Sequence, residues 1–229
     1  TETTVCATSG VVPSAGSGLP SIGRPLGNTR VYILDAALRL GLHMCMRFKF
    51  ALACPRPQEY SPNIQPMIPT PGYSAFPSGH ATEAYLATHL LLTMFGQPTA
   101  TPAGEQMYRL AERISTNRTI AGLHFPIDHA AGQALGSSLA QWLLAFVSDP
   151  LQNAVRQSRD FDSAKWKDDT DWTPLASPSA PPPDCADVKV PAGSRGATAI
   201  ALLWARSQRE LEGMGVASSA ASAGSAAGA

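Results

Sequence analysis

Two histidines, a carboxylate and three permanent cations are spaced along this 229-residue sequence in a way that suits chemistry on an oxyanion. In "FPSGHATEA", Ser78, Gly79 and His80 stand immediately before an apolar helical pattern. At a helix start the backbone N–H groups lack intrahelical acceptors, so they and the Ser78 hydroxyl can receive an anion, and Gly79 has no side chain to keep one away. His80 adds a group that titrates near neutral pH. In "NRTIAGLHFPID", Arg118 lies near the end of one helical pattern, Gly122 turns the chain, His124 falls in the connection and Asp128 sits in the first turn of the next helix. Asp128 can accept a hydrogen bond from one imidazole nitrogen of His124, which fixes the tautomer and leaves the other nitrogen as nucleophile or ligand. "KFALACPRP" sets Lys49 and Arg56 seven residues apart, almost two helical turns, so the spacing predicts both cations on one face of a helix end. Were Lys49, Arg56 and Arg118 to converge to ~6 Å, each pair would repel by roughly 3 kcal/mol at an effective dielectric near 20, a cost that a bound anion removes.

The elements that must position these residues are helical. Apolar residues recur at helical intervals from Val31 to about Ala53, where Pro55 and Pro57 stop the pattern. Residues 55–77 carry seven prolines and read as a stiff loop. A second helix is expected from Ser78 or Gly79 to Phe95. A third runs from about Ala103 to Ala121, with Met107, Leu110, Ala111 and Ile114 buried and Gly122 as C-terminal cap. A fourth runs from Pro126 to Val147. Gly132 and Gly136 form a GxxxG there, and the Gln and Ser residues around them favour close packing inside a bundle. Thr198–Met214 returns to helical spacing. The fold class is therefore all-α, divided into an extended arm (1–30), a helical bundle (31–149), a polar, proline-rich wrapping loop (150–196), and a helix with an Ala/Gly/Ser tail (197–229). Trp166 and Trp172 are candidates to anchor the loop, and His43, His89 and His129 lack motif context.

Charges balance at 17 basic and 17 acidic residues, and 44% of residues are hydrophobic, which argues against nucleic-acid or general membrane-surface binding. The longest apolar stretches fall short of the ~20 residues of a spanning helix, so the chain is expected to be soluble. Cys6, Cys45, Cys54 and Cys185 show no zinc-ligand spacing; disulfide and free thiol both stay open. The chain opens on Thr1 without a signal-peptide pattern, as a processed start or a piece of a longer protein would.

Taken in order, Lys49-x6-Arg56-Pro57, Pro77-Ser78-Gly79-His80 and Arg118-x5-His124-x3-Asp128 resemble the three-part signature shared by type 2 phosphatidic acid phosphatases, soluble bacterial class A acid phosphatases and vanadium-dependent haloperoxidases. The resemblance covers about residues 45–145. Asn117 departs from it, standing where the family usually has Ser. The resemblance implies the helical bundle of these enzymes, with Lys49, Arg56, Ser78, Gly79 and Arg118 on the equatorial oxygens of vanadate or phosphate. His124 would be apical, as vanadium ligand or as phosphorylated nucleophile. His80 would be the acid/base, and Asp128 would orient His124. "TPGYSAFPSGHATEAYL" and "AGLHFPIDHAAG" look closest to bacterial haloperoxidase-like members, with hydrogen peroxide and halide as substrates; Tyr73 stands where relatives carry an aromatic residue or His. A soluble phosphomonoesterase acting on a phosphate ester is the alternative, and an anion-binding bundle without turnover a third. Five helices are thin cover for such a centre, so a homo-oligomer or a partner segment is expected to complete it.

Overall fold

The computed structural model describes residues 29–97, 100–147, 155–159, 185–189 and 199–213. Its helices are α1 (Thr29–Leu52), α2 (Pro57–Tyr60), α3 (Gly79–Met94), α4 (Pro102–Ile120), α5 (Pro126–Val147) and α6 (Ala199–Glu212). Strands β1 (Val155–Arg159) and β2 (Cys185–Lys189) pair antiparallel, Val155 opposite Lys189 and Arg159 opposite Cys185. The fold is all-α with this two-stranded ribbon appended. The ribbon lies in the stretch that reads as irregular loop, because five-residue strands such as VRQSR are too short and too polar to show alternation. Trp166 and Trp172 lie outside the described residues, as do residues 1–28 of the arm and the tail; Thr29 and Arg30, expected to end the arm, already belong to α1.

α3 is the central helix. It buries Ala81, Thr82, Tyr85, Leu86, Thr88, Leu90, Leu92 and Met94 around its circumference, the pattern of a helix surrounded by others. Leu86, Leu90 and Met94 form one core with Ile33 and Ala37 of α1 and Leu139, Ala140 and Leu143 of α5; Ile200, Leu203 and Trp204 of α6 close it. Ala81, Tyr85 and Leu92 form a second with Tyr108 and Ala111 of α4. Gly132 and Gly136 let α5 ride directly on α3. A Cβ at Gly132 would stand 2.6 Å from the Ser78 carbonyl oxygen, and one at Gly136 2.3 Å from that of Thr82.

α4 differs from its sequence reading. Its buried face is Gly104, Tyr108, Ala111 and Ser115, while Leu110 and Ile114 face outward at 52% and 36% exposure. Tyr108 sets this rotation: its hydroxyl lies 3.0 Å from His89 Nδ1, and His89 Nε2 lies 3.0 Å from Ser137 Oγ, joining α4, α3 and α5 through polar groups that apolar periodicity does not register. Among the described residues, no helix is long and apolar enough to cross a membrane.

Candidate active site

Three chain reversals build the site. The first follows α1. The helix stops at Leu52 and Ala53 takes φ 48°, so Arg56 is not on the helix face with Lys49, as the seven-residue spacing predicts. Pro55 and Pro57 end the helix, and Arg56 becomes the extended residue that starts α2, its N–H donating to Glu59 Oε1 at 2.9 Å. The cations meet by a different route, through the backbone of residues 73–75. Lys49 Nζ donates to the carbonyls of Ser74 (2.7 Å) and Ala75 (2.8 Å). Arg56 donates through Nε to Tyr73 O (2.8 Å), and through its terminal nitrogens to Ser74 O (3.4 Å) and Leu123 O (3.0 Å). Both side chains are buried, and among the described residues neither they nor Arg118 pairs with a carboxylate. Burial lowers the Lys49 ammonium to about 8, with nearby Arg56 pushing the same way. Burial also lowers Arg56 and Arg118.

The second reversal starts α3. Ser78 is the extended N-cap, its Oγ accepting from Ala81 N at 3.4 Å, which leaves the hydroxyl proton available. Gly79 and His80 follow in the first turn, where N–H groups have no intrahelical acceptor. A Cβ on Gly79 would meet only Cys45 Sγ, at an ordinary 3.8 Å, and Gly79 has no positive φ, so neither packing nor backbone conformation demands glycine there.

The third reversal joins α4 to α5. Gly122, at φ 75°, donates to Thr119 O (2.8 Å) and Leu123 N donates to Arg118 O (3.1 Å), the paired bonds of a Schellman cap. Arg118 thereby ends α4 on the site side, and its Nε is buried without a hydrogen-bond partner. His124 Nδ1 lies 3.0 Å from Asp128 Oδ2, which also accepts from Phe125 N at 3.0 Å; Nε2 is left for other work. The Asp128 carbonyl accepts from Ser78 N at 2.8 Å and so fastens the third reversal to the second.

All eight residues singled out from the sequence thus fall at three adjoining turns, and their fields overlap. His80, exposed at the rim, is lowered to about 4 by partial loss of hydration and then by Arg118, His124 and Lys49. His124 is lowered by burial against the opposing pull of Asp128. His129 escaped the sequence reading. It is buried, its Nε2 is 2.7 Å from Thr119 Oγ1 beside Arg118, its ring is 5.7 Å from that of His124, and burial with His124 pushes it down to about 3. Its place next to Asp128 was the available signal. Carbonyl oxygens at 73–75 carry no side-chain signature and could not have been read.

Cationic and hydrogen-bond donors without matching carboxylates, beside an imidazole fixed by an aspartate, can bind an oxyanion and act on it by nucleophilic attack, ligation or proton transfer. The sequence matches the PAP2 superfamily over residues 31–151, which is 121 of 229 residues and includes all eight. Bacitracin synthase 3 of Bacillus licheniformis is 63% identical over 35 residues, 15% of this chain and, to the nearest percent, 0% of that protein; a likeness spanning so little of either carries no argument about function.

Proposed function

Because the chain belongs to the PAP2 superfamily, we propose that its site binds a tetrahedral oxyanion, vanadate, and that its activity is the vanadate-dependent oxidation of halide by hydrogen peroxide. The observation that carries the anion is Arg118 Nε, buried without a hydrogen-bond partner beside Lys49 and Arg56, which form no direct ion pair among the described residues. Carbonyls take two of the three Lys49 donors and three of the five on Arg56, so part of each donor set stays unspent. Those donors, Arg118, the Ser78 hydroxyl and the Gly79 amide would hold the anion's oxygens, and His124 Nε2 would be the vanadium ligand.

Vanadate, when bound, supplies a Lewis-acidic centre that activates hydrogen peroxide toward halide, giving hypohalous acid. The residues supply the rest. Asp128 keeps the proton of His124 on Nδ1, so Nε2 presents its lone pair. His80, held neutral at pH 7, can take a proton from incoming hydrogen peroxide and return it to departing water. A neutral His80 suits proton acceptance from peroxide in the halide reading; the second reading is a phosphomonoesterase. There His124 would attack phosphorus and His80 would protonate the leaving alcohol, which a histidine near 4 does only in acid unless the substrate's own charge raises it.

Protein loaded with orthovanadate and given peroxide with bromide or iodide should halogenate a phenolic dye, and vanadate-free protein should not hydrolyse an aryl phosphate at pH 7. Phosphate release without halogenation of any kind overturns the first reading in favour of the second. His124→Ala should abolish whichever activity exists, and His80→Ala should cost roughly a hundred- to ten-thousandfold in kcat. The same reading expects a second subunit or a partner segment over the open side of His80 and Tyr73. Sedimentation at micromolar concentration checks this, and a fully active monomer removes it.

A further inference from the structure

Two of the three cations share an aromatic neighbour. The Tyr73 ring centroid lies 5.4 Å from Lys49 Nζ and 5.4 Å from Arg56 Cζ. Tyr73 is 42% exposed, so it borders the site from the solvent side. Its own carbonyl is separately fixed by Arg56 Nε.

An aromatic face attracts cations through its quadrupole, and it does so far less strongly than a full negative charge. Lys49 has one ammonium proton left after Ser74 and Ala75 take theirs. That proton can face the ring or an anion's oxygen, not both. We propose that Tyr73 is a displaceable counter-group: its ring offsets the charge of Lys49 and Arg56 while no anion is bound, and an incoming oxyanion takes over that role as the ring gives way. Tyr73 is then a positioning residue that keeps the cations together between ligands, at the cost of some affinity. The inference rests on the oxyanion-binding reading of the site and not on whether the turnover is halide oxidation or ester hydrolysis.

The test uses the full chain with inorganic phosphate and orthovanadate as separate probes, titrated calorimetrically, together with thermal unfolding in the presence and absence of phosphate. Tyr73→Leu removes the π face at similar bulk, and Tyr73→Phe keeps it. Tyr73→Leu should unfold at lower temperature without anion, bind phosphate roughly three- to fivefold more tightly, and recover most of the lost Tm when saturated. Tyr73→Phe should match the wild type in all three. A purely structural role predicts the opposite sign for affinity, so equal or weaker phosphate binding by Tyr73→Leu overturns the inference. If Tyr73→Leu does not fold, the wild type decides. Its Tyr73 ring resonances, assigned by their loss in Tyr73→Phe, should shift on adding phosphate, and unmoved resonances overturn the inference. A wild type that binds neither anion overturns both this inference and the reading beneath it.

Discussion

Gly79 is the residue whose identity the fold explains least, and that makes it informative. With ordinary space for a Cβ and no positive φ, Gly79→Ala should fold normally and could gain up to about 1 kcal/mol from a less flexible unfolded chain. If Gly79 is there to let an anion reach the start of α3, as the oxyanion-binding reading has it, phosphate and vanadate affinity should nevertheless fall sharply. Urea unfolding and calorimetric titration of one preparation check both halves, and parallel loss of stability would assign Gly79 a packing role instead. Protonation makes a second prediction at this scale. His80, His124 and His129 all resist protonation in the folded chain relative to their ordinary value of 6.5. The unfolded chain therefore binds more protons below that value, and the stability these residues contribute is present above about pH 6.5 and lost as pH falls toward 4. The buried His129 alone should account for on the order of 2 kcal/mol between pH 7 and pH 5. His129→Gln should flatten that slope in anion-free unfolding curves, and an unchanged slope would show that His129 titrates normally.

Among the helices, the contact of α3 with α5 decides whether the site exists. Cβ atoms at Gly132 or Gly136 would strike the backbone of α3 and not a side chain that could swing away. Gly132→Ala and Gly136→Ala should each cost about 1–3 kcal/mol or more. Gly132→Ala should also lower turnover, since the Ser78 backbone it would push is the one bonded to Asp128. Thermal unfolding with kcat on the same samples measures both. This scale also shows what was legible in the sequence. Ser78 as a cap, Gly122 as a C-terminal turn and Asp128 four residues after His124 are local relations, and each is fulfilled where spacing placed it. The α4 face and the meeting of Lys49 with Arg56 were not legible. The first depends on Tyr108, His89 and Ser137, which are 19 and 48 residues apart, and the second on carbonyls that any residue type would supply.

For the whole molecule, the oxyanion-binding reading expects three cations without a direct carboxylate partner among the described residues to couple ligand binding to folding. Phosphate at about a hundred times its Kd should add ~2.7 kcal/mol to the unfolding free energy, with vanadate acting through the same residues. The two anions should therefore not stabilise additively. Additive shifts in Tm would show separate sites. The bond from Arg56 to the carbonyl of Leu123 ties the cation that follows α1 to the peptide just before His124. A ligand that drags this guanidinium out of line must also tilt the imidazole, so an anion of the wrong length or shape would misalign the reacting nitrogen through the very grip that welcomes it. On the oxyanion-binding reading, recognition and reactivity would be mechanically geared together, and a poor fit would be punished in rate as well as in residence time.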